Sequence, residues 1–179
     1  LGTLKTKPKV EIWTDGSVYP QNPGTGGWGV VLIYDHPDNT RTILQKNGTM
    51  EDGEVTKSDG TTVIGTTNNQ AEAQALIEGI KLLNKPAIVN IITDSRYVEI
   101  CYKKTMAGNL PNKNKEVWKE ARKAVKNGKH VVSITRVKGH SNFRFNTMAD
   151  KLAYAAATKQ EPIEIREQHN GHKPTFEDI

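Results

Sequence analysis

Four carboxylates occupy places from which a fold could bring them together. Asp15 follows the alternating residues 10–13 and precedes Gly16, where a first strand is predicted to end in a turn. Glu72 falls in the first turn of a predicted helix, Asp94 closes an apolar run at 88–93, and Asp150 lies early in a last predicted helix. Strand ends and helix starts gather at one edge of such a sheet, where ligands bind. Four anions in one cleft repel. A like pair about 4 Å apart costs roughly 4 kcal/mol at an effective dielectric near 20. Such a cluster persists only with a proton or a cation. An oxygen-only ligand set suits Mg²⁺ or Mn²⁺ rather than zinc. Two such ions ~3.5–4 Å apart are the usual apparatus for in-line phosphodiester cleavage.

The elements that must carry these side chains are legible from period and punctuation. Residues 20–27 are turn-rich, 28–34 form a nearly continuous apolar strand, and 41–46 read as its hairpin partner. Residues 47–62 are polar and rich in Gly, Asp and Thr, an extended hairpin or an exposed loop, with Val63 and Ile64 expected to resume the sheet. Asn68 or Asn69 is expected to cap a helix in which Ala73, Leu76, Ile80 and Leu83 recur at helical spacing until Pro86 stops it. The run 88–93 reads as a central strand covered on both faces. Asp94-Ser95 is expected to cap a second helix with Val98, Cys101 and Tyr102 inward, and Val117 or Trp118, Ala121 and Val125 mark a third. Residues 130–137 form another strand, 138–145 a loop and 146–159 a last helix. The order predicts an α/β fold with a mixed five-stranded sheet, three antiparallel strands followed by parallel ones, flanked by helices.

Composition narrows the class. The 179 residues make one domain of ordinary size, with 35% hydrophobic residues for a core. No apolar run approaches the ~20 residues of a membrane span, and the polar, Lys-rich residues 1–10 predict no signal peptide. Cys101 is the only cysteine, which excludes an intrachain disulfide and fits a reducing, cytoplasmic setting. Lys and Arg number 25 against 20 Asp and Glu, a net charge of +5 that permits a polyanion partner.

Four motifs, in order, resemble the type 1 ribonuclease H family, cellular or phage-like and related to the ribonuclease H domain of reverse transcriptases. They are Thr14-Asp15-Gly16-Ser17 followed by Asn22-Pro23-Gly24-Thr25-Gly26-Gly27-Trp28-Gly29; Thr67-Asn68-Asn69-Gln70-Ala71-Glu72; Thr93-Asp94-Ser95-Arg96-Tyr97-Val98; and Val137-Lys138-Gly139-His140 with Asn146 and Asp150. The resemblance covers about residues 9–158, which it marks as the ribonuclease H domain. Residues 1–8 and 159–179 would be extensions, and 39–62 a long hairpin insertion. It implies that Asp15, Glu72, Asp94 and Asp150 hold two Mg²⁺ ions, with Mn²⁺ as substitute, one activating water and the other stabilising the leaving 3′ oxygen. The implied reaction cuts the RNA strand of an RNA·DNA hybrid, leaving 5′-phosphate and 3′-hydroxyl ends. His140 would shuttle a proton or assist product release. Asn22, Asn68 and Glu72 match positions that read the 2′-hydroxyl, and Thr67 and Asn114 match a DNA phosphate pocket. Gly16, Ser17, Asn69, Arg96 and Lys138 are further expected substrate contacts, and the protein is expected to act as a monomer. Three departures stand out. Gly65 sits where many members carry a pocket arginine. Residues 97–118 are shorter and less basic than in handle-bearing members. The tryptophan of the DNA channel has no counterpart, although Tyr102 and Met106 lie nearby.

Each residue also has a plainer use. Asp15 alone could be a turn residue and Asp94 alone a helix cap. His140 could be an ordinary loop histidine. Gly24, Gly26 and Gly29 fit the spacing of a dinucleotide fingerprint, but a strand follows where that motif needs a helix; they are expected to shape a turn and let backbone approach the substrate. Cys101, Trp13, Trp28 and Trp118 are expected in the core. Asn47-Gly48-Thr49 is a glycosylation sequon without consequence in the cytoplasm, and Ile163 and Ile165 could add a short strand or pack on the body. Two other functions remain open on the sequence: a structure-selective DNA nuclease of the resolvase or integrase kind, and a non-catalytic hybrid-binding module.

Overall fold

The computed structural model describes residues 6–139 and 143–170. In chain order the elements are β1 (Lys9–Tyr19), β2 (Thr25–Asp35), β3 (Arg41–Thr49), β4 (Gly53–Thr56), β5 (Thr62–Gly65), α1 (Asn68–Lys81), β6 (Ile88–Thr93), α2 (Arg96–Met106), α3 (Lys115–Asn127), β7 (Val131–Arg136), α4 (Arg144–Ala157) and β8 (Glu164–His169). The main sheet runs β7-β6-β1-β2-β3-β8. The β1–β2, β2–β3 and β3–β8 pairs are antiparallel, and β1–β6 and β6–β7 are parallel. The mixed sheet flanked by helices matches expectation, but it has six strands, not five. β8 supplies the sixth, so the Ile163–Ile165 alternation was a strand signal. No helix among the described residues is long and apolar enough to cross a membrane.

Period-2 alternation divides the core between the two faces. Ile12 on β1 joins Val30, Leu32 and Ile91 beneath Leu76, Ile77 and Ile80 of α1 and Trp118 of α3. Its neighbour Trp13 joins Val31, Ile33, Ile43 and Ile92 beneath Phe145 and Leu152 of α4. Trp13, Trp28, Trp118 and Cys101 are all buried, as their spacing predicts. Tyr102 is buried as well, its hydroxyl donating to Val132 O at 3.4 Å, so it does not stand in for a channel tryptophan.

Two expectations about strands are corrected. β1 does not turn at Asp15-Gly16; it continues to Tyr19 because β2 pairs with it throughout, Asp15 opposite Gly29 and Gly16 opposite Trp28. Val63 and Ile64 do not rejoin the main sheet. They pair with β4 in a separate ribbon, Val55 opposite Val63 and Glu54 opposite Ile64, because β8 already occupies the outer edge of β3. Within the glycine-rich run, Gly24 packs into the expected turn, an added Cβ meeting Gln21 O at 2.4 Å, whereas Gly29 serves helix packing. A Cβ on Gly29 would lie 2.4 Å from Ala149 O, so this glycine lets α4 lie directly on the sheet.

Asn47, seen in the sequence only as a sequon, clips the tail to the body. Its buried side chain donates from Nδ2 to Leu152 O at 2.9 Å and accepts the Ile163 N–H on Oδ1 at 2.8 Å. Asn47→Ala leaves the Ile163 N–H unsatisfied and removes the added bond to Leu152 O, and is expected to cost about 2 kcal/mol. A thermal melt followed by circular dichroism should show a drop of roughly 4–8 °C, and an unchanged midpoint would refute the clip.

Candidate metal centre and adjoining cleft

The parallel pairing of β1 with β6 ends at Thr14 opposite Thr93. Asp15 and Asp94 are therefore the next residues on neighbouring strands, at one sheet edge. Glu72 arrives from α1. This helix is capped by Thr67, not by Asn68 or Asn69: Thr67 Oγ1 accepts the Gln70 N–H at 3.1 Å and Gln70 Oε1 accepts the Thr67 N–H at 2.9 Å, a reciprocal capping box. That start leaves Glu72 beyond the first turn, where an apolar stretch of helix seats it against Gly16. Asp94 is spared capping duty, since Ser95 Oγ accepts the Val98 N–H at 3.1 Å. Asp150 comes from α4, which opens at Arg144, earlier than expected, and so places it mid-helix.

Carboxylate oxygens of Asp15, Glu72 and Asp94 lie within 4.8 Å of one another. Asp150, exposed on the facing helix, is not one of these three. Burial pushes the Asp15 carboxyl well above the usual range, and the charges of Glu72 and Asp94 push it further. Burial likewise raises Glu72 to about 8, with Asp94 and Asp150 adding to the rise and hydrogen bonds from Asp15 and the Gly16 N–H opposing it. Glu72 Oε2 is buried with no hydrogen-bond partner among the described residues. A buried carboxyl oxygen left bare beside other carboxylates fits a hard cation, which would take the place of the proton that burial favours.

This geometry has a measurable pH consequence without metal. Glu72 titrates higher folded than at its ordinary 4.5, so its contribution is fully present below 4.5 and is lost as pH rises toward about 8. The loss is at most about 1.4 kcal/mol per pH unit for one group. Chelated protein is expected to melt several degrees lower at pH 8 than at pH 5, and Mg²⁺ to restore the midpoint. Glu72→Gln should reduce the dependence, the remainder coming from Asp15, which burial also raises; a Gln variant that still tracks the full wild-type slope would contradict the assignment.

Beside the cage lies a cleft of about 540 Å³. Asn22, Thr67, Asn68, Asn69, Gln70 and Asn114 line it, bringing together five of the expected substrate contacts from three separate segments. Asn22 Oδ1 accepts the Asn68 N–H at 3.0 Å, tying the β1–β2 connection to the start of α1. Asn114 sits in the left-handed region (φ 59°), which asparagine tolerates. Its Nδ2 donates to Tyr97 Oη at 2.9 Å, and the same hydroxyl accepts Trp118 Nε1–H at 3.1 Å. Tyr97 is thus a positioning residue that sequence reasoning missed, although it stands in the quoted motif. Tyr97→Phe strands both donors and is expected to cost about 1–3 kcal/mol of stability, with a raised KM for any ligand of Asn114. A variant with wild-type melting and KM would show the hydroxyl to be idle.

The remaining expected residues fall differently. Gly16 is buried under α1, outside the cleft, and its N–H goes to Asp15 Oδ1 at 3.0 Å. Ser17 is half-buried on β1, and Arg96 is exposed at the first position of α2. Lys138 is exposed beside Gly139, where an added Cβ would stand 3.9 Å from Asp94 Oδ2, so this loop begins at the cage. His140, next along it, lies outside the described residues.

Comparison with known proteins agrees with this layout. A family model described as RNase H matches residues 7–158. Ribonuclease H of Thermoanaerobacter sp. (strain X514) is 33% identical over 169 residues, covering 87% of this chain and 96% of that protein. Ribonuclease HI of Caulobacter vibrioides is 34% identical over 165 residues, covering 87% and 97%. Among solved structures, RNase H1 from the halophilic archaeon Halobacterium salinarum superposes with a TM-score of 0.54 at 26% identity, covering 84% of this chain and 98% of that one. LC9-RNase H1, a type 1 enzyme with the type 2 active-site motif, gives 0.68 at 23% identity over 89% and 77%, a likeness of fold.

Proposed function

Given that the chain belongs to the RNase H family, we propose that it is an endoribonuclease hydrolysing the RNA strand of RNA·DNA hybrids to 5′-phosphate and 3′-hydroxyl ends. The observation that carries the reading is the carboxylate cage, with the bare Glu72 Oε2 at its centre of burial. Two Mg²⁺ ions, or Mn²⁺ in their place, held by Asp15, Glu72, Asp94 and Asp150, would supply activation of the attacking water and charge stabilisation at the leaving 3′ oxygen. The chain's own residues supply orientation and selectivity. Asn22, Asn68 and Glu72 accept from or donate to the 2′-hydroxyl, the group that distinguishes RNA from DNA. Thr67 and Asn114 hold a phosphate of the DNA strand from the cleft. His140 moves a proton near the reacting phosphate, work suited to a group that titrates near neutrality. The working domain is 9–158, the lone buried Cys101 suits the cytoplasm, and the reading needs only one copy of the chain.

The test is product analysis on an end-labelled hybrid, with and without Mg²⁺, run beside double-stranded RNA and branched DNA. Mg²⁺-dependent cuts in the RNA strand of the hybrid are expected. Cleavage of branched DNA alone would establish the resolvase-like alternative. Tight hybrid binding with no cleavage in either Mg²⁺ or Mn²⁺ would establish a binding module.

A further inference from the structure

The β4–β5 ribbon lies outside the main sheet, yet it is firmly placed. Gly24 and Thr66 exchange backbone hydrogen bonds at 3.0 and 2.7 Å, and the Met50 N–H donates to Gly26 O at 2.8 Å. At its base Gly65 packs backbone to backbone: a Cβ there would stand 3.0 Å from Gly24 O. That packing explains glycine at a position where an arginine was expected. The tip is closed by Asp59, whose Oδ1 accepts the Thr61 N–H at 2.9 Å and the Thr61 hydroxyl at 2.6 Å, with Gly60 at φ +86°.

This ribbon forms a wall of the cleft. Glu54 and Thr56, which share one face of β4 by alternation, line the cleft together with Lys113 from the loop ahead of α3. Among the described lining residues Lys113 is the one cation and Glu54 the one carboxylate; the others are neutral hydrogen-bonding groups and Val55. Asn68, at the cleft, and Glu72, at the cage, are separated by about 6 Å of helix axis. A backbone lying in this cleft is therefore about one helical turn from the cage and in reach of the ribbon.

We propose that the β4–β5 ribbon is a second grip on the sugar–phosphate backbone of the substrate. Thr56 donates to a backbone oxygen, Lys113 takes one phosphate charge, and Glu54 opposes that charge, so the ribbon sets KM and salt dependence but not the chemical step. This rests on the nuclease reading above.

The experiment is steady-state hybrid cleavage against salt concentration for wild type, Lys113→Ala, Glu54→Gln and a variant with residues 54–64 replaced by Asn-Gly. That two-residue turn suits a hairpin whose flanking Gly53 and Gly65 already pair. The shortened variant is expected to raise KM at least about tenfold with kcat within about twofold. Lys113→Ala should raise KM several-fold and lower the log–log salt slope by about 0.7–0.9, while Glu54→Gln lowers KM. Lys85→Ala, at the opposite end of the sheet, should keep the wild-type slope. The proposal fails if the shortened variant, with wild-type kcat, keeps wild-type KM and slope, or if the Lys113 and Glu54 variants shift KM in the same direction. Should the shortened variant not fold, the two point variants decide. Should wild type cut no hybrid, the nuclease reading fails on its own, and the same variants are compared by hybrid and branched-DNA dissociation constants.

Discussion

Asp94→Asn is expected to bind an RNA·DNA hybrid with near-wild-type affinity and to cleave it at least about 10³-fold more slowly, a loss of roughly 4 kcal/mol of transition-state stabilisation. The substitution changes little in shape. Asp94 is half-buried, and the helix that follows is capped by Ser95, so this carboxylate is not needed to start α2. What it removes is one of three acidic side chains whose oxygens converge within 4.8 Å. An amide oxygen is a neutral ligand and cannot balance a divalent charge as a carboxylate does. Hybrid affinity by fluorescence anisotropy and single-turnover cleavage in Mg²⁺ separate the two effects. Cleavage within tenfold of wild type would show that Asp94 is not a ligand. Loss of binding together with cleavage would assign it to substrate recognition.

Gly16→Ala should be more damaging than any substitution at the protein surface, through stability and activity together. A Cβ at this position would meet Glu72 N at 2.3 Å, Ala71 C at 2.5 Å and Glu72 Cα at 2.8 Å. These are backbone atoms and cannot rotate aside. β1 and α1 must separate, and α1 carries Leu76, Ile77 and Ile80 into the core above the sheet. Overpacking of this kind costs about 3 kcal/mol, a fall of roughly 6–12 °C in Tm. The same displacement carries Glu72 away from Asp15 and Asp94, and a misplacement of about 1 Å is worth some 10²-fold in rate. At a temperature where the variant is folded, kcat is expected to fall by about that factor while hybrid binding persists. A variant that melts and turns over like wild type would mean that the approach of strand to helix is not what holds the cage.

The sequence by itself singled out the three carboxylates that the structure brings together, and most of the elements. Asp15, Glu72, Asp94 and Asp150 are recognisable from the short motifs around them, although in the structure only Asp94 stands at the end of an element, and a period of 2 or 3.6 is a local property that short stretches carry intact. The capping box at Thr67 and Gln70 was present in the same local code and could have corrected the helix start. Tertiary structure alone decided the rest. Which strand takes the open edge of β3 depends on competition between segments 62–65 and 164–169, and a strand's pattern does not name its neighbour. The tail docks there because Asn47, itself tied to Leu152 O of α4, accepts the Ile163 N–H, contacts between residues more than a hundred positions apart. Gly16 and Gly29 read in sequence as loop-formers, yet their missing Cβ atoms matter because helices lie on them. Close approach between distant segments leaves no period in either one, so only the packed molecule reveals it.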